Sequence, residues 1–87
     1  MTERFTYDAR ILEALGEHGL SPLPTTSPQT VREALSDLYR YEIRRLRRDL
    51  LAGLVAKADY IGRVIALRKR YWLLSVRVQL WTRPTDT

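Results

Sequence analysis

The chain has 87 residues, enough for one domain (1–87) with no room for a second core, and its apolar and charged fractions of 45% and 29% are those of a globular chain. It has no cysteine, which excludes disulfide stapling, thiol catalysis and thiolate metal sites. The net charge of +5 comes from thirteen arginines and two lysines against ten acids.

That charge is unevenly spread. Residues 1–39 hold three arginines against six acids, net −3, and residues 40–87 hold twelve basic residues against four acids, net +8. Such a split points to an anionic partner, or to an acidic segment lying against a basic one. A chain this short buries only about 60–65% of the surface it exposes when unfolded, so self-association or a partner is an expectation from the start. The opening "MTERFTYDAR" has no apolar core of the kind a signal peptide needs, and "LLAGLVA" is far short of a membrane span. A cytoplasmic protein without a transmembrane segment is expected.

The first predicted element is a helix over about 7–18. Thr6 is its expected cap, with Asp8 in the first turn and Ile11, Leu12 and Leu15 forming one apolar stripe. Gly16 or Gly19 ends it, and Leu20 supplies the hydrophobic contact behind a glycine cap. "SPLPTTSP", residues 21–28, carries three prolines in eight residues and reads as a stiff connector.

Ser27-Pro28 is a helix start, an N-cap serine followed by proline at the first helical position. A long central helix over 28–52 follows, with Val31, Leu35, Leu38, Tyr39, Ile43, Leu46 and Leu50 along one face. Gly53 breaks the pattern as a C-cap, trailed by Leu54 and Val55. A third helix over 58–72 places Tyr60, Val64, Leu67 and Tyr71 on one stripe, which Ile61 and Ile65 widen. The short turn makes these two helices antiparallel neighbours. Leu74, Val78 and Trp81 continue the spacing of the third helix, which would let it run on to Trp81, but residues 73–87 read as an extended apolar tail. Val76, Val78 and Leu80 alternate in the strand manner and need a partner edge, from another chain or from the "RFT" near the start. Pro84 onward is expected to fray. The fold class is therefore all-α, a three-helix bundle built on the central hairpin with an extended tail.

Two surfaces carry the functional expectations. The first is the tail, where Trp72, Leu74, Val76, Val78, Leu80 and Trp81 are more apolar surface than so small a chain readily buries. They are the expected contact for a second copy or a protein partner. The second begins at "YRYEIRRLRRDL". With Leu46 turned to the core, Arg44, Arg45, Arg47 and Arg48 spread over about 160° on the opposite side. This is the wet face of an amphipathic helix, but its surplus of positive charge exceeds what the intrahelical acids balance. Arg40, Arg44, Arg47, Arg48, Arg63, Arg68, Lys69 and Arg70 form the candidate face for a phosphate backbone, with Tyr41, Tyr71 and Trp72 as stacking surfaces. No base-reading motif accompanies them, and Asp59 at the start of the third helix would repel phosphate.

Catalytic patterns are missing. His18 is the single histidine and sits where a helix C-terminus favours it, and Glu13 with Glu17 is a carboxylate pair at ligand spacing on an exposed face. No cofactor or metal is implied, and the expected role is a non-enzymatic helical interaction or oligomerisation module. Nonspecific RNA or DNA binding is the second reading, and an amphipathic tail on an anionic membrane a third.

Overall fold

Tyr7 pairs with Thr82, and Thr6 with Arg83, in an antiparallel two-stranded sheet that ties the two ends of the described chain together. The computed structural model describes residues 3–83. In chain order these are β1 (Thr6–Tyr7), α1 (Ala9–Glu17), α2 (Pro28–Leu51), α3 (Lys57–Arg70), two 3-10 turns (Trp72–Ser75 and Val78–Leu80) and β2 (Thr82–Arg83). The protein is mostly helical, with three α-helices and this one small sheet.

Local chemistry explains the helix ends. Ser27 caps α2 by accepting the Gln29 N–H at 3.2 Å, and Pro28 opens the helix where its missing N–H costs nothing. Gly53 follows with φ of 78°; its N–H donates to Leu50 O, and the Leu54 N–H reaches Asp49 O at 2.8 Å. The same pair of bonds closes α1, where Gly19 has φ of 75° and the Leu20 N–H donates to Leu15 O. Both are glycine caps of the Schellman type, which need left-handed backbone at the glycine. The cap of α1 differs from expectation. Thr6 is taken by β1, so Asp8 caps instead, accepting the Arg10 N–H at 2.9 Å.

The tail departs most from the sequence reading. α3 stops at Arg70, and residues 72–80 form neither an extended tail nor a strand but two tight turns. Ser75 diverts its hydroxyl to Trp72 O at 2.6 Å, and the branched Val76 and Val78 disfavour a continued helix. Only Thr82 and Arg83 find a strand partner, at Tyr7 and Thr6 rather than on another chain. The frayed end expected from Pro84 onward lies outside the described residues.

These turns deliver Leu73 and Trp81 into a core shared with Tyr7, Ile11, Ala14, Leu15, Val31, Leu35 and Tyr71. All of it lies among α1, the first half of α2 and the tail. The rest of α2 and most of α3 make an arm, while Leu67 near the end of α3 packs against the core. α3 buries none of its residues, and at the turn only Val55 is buried. The molecule accordingly extends 56 × 19 × 17 Å, with a radius of gyration of 16.0 Å; a compact chain of this length has about 12 Å.

Candidate functional site

Of the six tail residues expected at a partner contact, Trp81 is wholly buried, its indole N–H donating to Val76 O at 3.2 Å. It is a core side chain, which removes it from any outer surface. Leu74, Val76 and Val78 are half-buried against the same core, and Trp72 and Leu80 are exposed. The tail therefore does not form one continuous apolar surface. Its backbone is anchored by Arg32, which donates to Leu74 O at 3.0 Å, and by the Asp8 N–H, which donates to Trp81 O at 3.0 Å.

Exposed apolar side chains also lie on the arm. Leu51 and Leu54 at the turn are 79% and 76% exposed, and Ile61 and Ile65 on α3 are 65% and 49% exposed. Ile61 and Ile65 do not widen the inner stripe. They belong to a second stripe about 110° further round the helix from Tyr60, Val64, Leu67 and Tyr71.

The eight candidate cations are all exposed, but they do not share one face. Arg63 and Arg70 line a groove between α2, α3 and the end of α1, together with Arg45. Arg40 pairs with Asp37 at 3.1 Å and lies on the outer side of α2. Arg44, Arg47 and Arg48 lie on the side of α2 away from Leu46, and Arg68 and Lys69 on α3 outside the groove. Among the described residues, Arg70 also forms an ion pair, with Glu42 at 3.5 Å.

The groove is open to solvent, spans about 640 Å³, and has Leu38, Leu46 and Leu67 among its lining. Four of its polar groups, Glu42, Arg70, Tyr71 and His18, are engaged in hydrogen bonds. The Tyr71 hydroxyl donates to Glu42, and burial together with that bond pushes the phenol up to about 12. His18 Nε2 lies 3.0 Å from Arg70 O, and its ring packs on Tyr71 at 4.3 Å between centroids. Its Nδ1 is buried without a hydrogen-bond partner. With Nε2 donating to the carbonyl, the imidazole is a structural tie between α1 and the end of α3. Among the described residues, no group of three or more His, Asp or Glu side chains could hold a metal ion, and no helix is long and apolar enough to cross a membrane.

Arg45, Glu42 and His18 join the groove although none was singled out for it in sequence. The available signal was Glu42, a lone acid inside the arginine run and on the edge of the α2 apolar stripe. Comparison of the chain with protein-family models, with curated proteins and with solved structures gives no match.

Proposed function

We propose that the protein is a non-enzymatic interaction module that self-associates through its arm. In this reading α2 and α3 act as an antiparallel hairpin that projects from the core and offers a helix face to a second copy. The observation that carries it is the state of α3: fourteen residues, none buried, with Ile61 and Ile65 turned outward. A helix of this length is marginal alone in water and gains its stability by docking. α3 half-buries Tyr60, Val64 and Leu67 but leaves both isoleucines exposed, and an exposed apolar pair of this kind fits a contact surface.

Sedimentation tests it. The wild type is expected to show a concentration-dependent mass above that of one chain, and Ile61→Asp with Ile65→Asp to remain at one-chain mass with unchanged helical circular dichroism. A wild type that stays monomeric at the highest attainable concentration ends this reading.

Nucleic-acid binding stands as the second reading, supported by one observation. Arg44, Arg47, Arg48, Arg63, Arg68 and Lys69 are exposed and have no ion-pair partner among the described residues. Retention of mixed RNA and DNA that falls steeply between low and moderate salt is its expected signature, and no retention at low salt removes it.

A further inference from the structure

The second half of α2 sorts its charges to opposite sides. Arg40, Arg44, Arg47 and Arg48 fall within an arc of about 100° and about 12 Å of helix, and all four are exposed. Glu42 and Asp49, the acids of that half, lie about 150–170° round from the centre of the arc and line the groove. The groove is balanced in charge, with Glu17, Glu42 and Asp49 against Arg45, Arg63 and Arg70. The outer arc is not balanced. Among the described residues only its first arginine, Arg40, has an acid partner, Asp37.

From this we infer that the outer arc of α2 is a docking face for the phosphodiester backbone of a nucleic acid, held by Arg44, Arg47 and Arg48 with Arg40 at one end. The inference rests on the nucleic-acid reading above and narrows it to one face of one helix.

The arc has the chemistry of a polyanion site. Arg44 has Arg40, Arg47 and Arg48 as neighbours three or four residues away, and like charges at that spacing destabilise a helix mildly. A run of phosphates laid along the arc removes that repulsion. Guanidinium forks bond phosphate oxygens two at a time, which suits arginine to the task better than lysine. A helix that lies in a membrane surface inserts a broad apolar face. Between Arg40 and Arg48 this arc carries no apolar side chain, so its complement is a charged backbone and not a lipid interior. Residues 40–51 also contain no Asn, Gln, Ser or Thr, and the expected binding is independent of base sequence.

Fluorescence anisotropy of labelled, mixed-sequence duplex DNA and single-stranded RNA, titrated with the full chain at several salt concentrations, tests this. Each neutralised phosphate of a duplex contributes about −0.9 to the slope of log K against log salt, so three or four contacts lower the affinity by about 40- to 150-fold between about 50 and 200 mM salt. Arg44→Gln with Arg48→Gln removes two contacts and should flatten that slope by about 1.8. Arg45→Gln with Arg63→Gln removes the same charge from the groove and should leave the slope as it is. All four positions are exposed, and both double variants should keep the helical circular dichroism of the wild type. Equal losses in the two variants would show that net charge, and not this arc, holds the nucleic acid; the inference then falls while the nucleic-acid reading survives. No binding by the wild type at the lowest salt removes both. Pelleting with phosphatidylserine vesicles in place of nucleic-acid binding, lost in the first variant, overturns the inference in favour of a lipid surface.

Discussion

Replacing Trp81 by alanine should cost the protein a large part of its stability. Trp81 has no exposed surface, and its indole N–H is satisfied by Val76 O at 3.2 Å. Burying a tryptophan removes roughly 200–250 Å² from water, worth about 5–6 kcal/mol at about 25 cal/mol per Å². An unfolded chain that already hides part of this surface lowers the figure, and measured Trp→Ala changes in cores cluster at about 3–5 kcal/mol. Against a total of roughly 4–13 kcal/mol for a chain of this length, the variant should be close to unfolded. The assay is urea denaturation followed by far-ultraviolet circular dichroism at one fixed protein concentration. With a slope near ~1.5 kcal/mol per M, a loss of about 4 kcal/mol moves the midpoint down by about 2.7 M. Trp72→Ala is the control, because that side chain is 45% exposed, and should cost no more than about 1.5 kcal/mol. Equal midpoints for the two variants would refute the assignment of Trp81 to the core.

The Tyr71 phenol is held up to about 12 by burial and by Glu42, so the unfolded chain releases this proton more readily than the folded one. Its contribution is complete below the unfolded value of about 10 and is lost as pH rises toward 12. Thermal melts of the wild type should therefore fall more steeply above pH 10 than those of Tyr71→Phe, and parallel curves would count against the bond. Ser27→Ala removes the α2 cap and should cost about 1 kcal/mol in the same urea assay, with an unchanged midpoint as the contrary result. Gly53→Ala and Gly16→Ala should act in opposite directions, since neither added Cβ meets an atom within 4 Å. The first forces a side chain into left-handed backbone and costs about 1 kcal/mol, whereas the second lies in helical backbone and gains about 0.5–1 kcal/mol; melting temperatures that shift in the same direction would contradict this.

Signals that act within a few residues were legible before the structure. Ser27-Pro28 and Gly53 bound α2 because a cap and a left-handed turn are local chemistry. Asp8 and Thr6 are both competent caps, and the choice fell to Asp8 because a strand far along the chain claimed Thr6. The same long-range pairing explains Trp81, whose burial depends on turns at residues 72–80 that no hydrophobic period announces. On α3, periodicity put Ile61 and Ile65 at the edge of the inner stripe, but they lie about 110° round from it and are exposed, because helical spacing does not fix how wide a face α2 covers. The basic residues were placed correctly as exposed, yet their division between the groove and the outer faces follows from how α3 meets Glu42, 28 residues from Arg70.

The β1–β2 pairing carries a consequence for the order of events during synthesis. Tyr7 and Thr82 are about 75 positions apart, which makes their contact among the slowest to form. A growing chain can wind α2 and turn at Gly53 while still attached to the ribosome, but the core around Tyr7, Ile11 and Leu15 stays open until Tyr71, Leu73 and Trp81 have emerged. The nascent protein therefore passes through a stage with its helices wound and its oily interior open, which is the interval in which a chaperone would engage it.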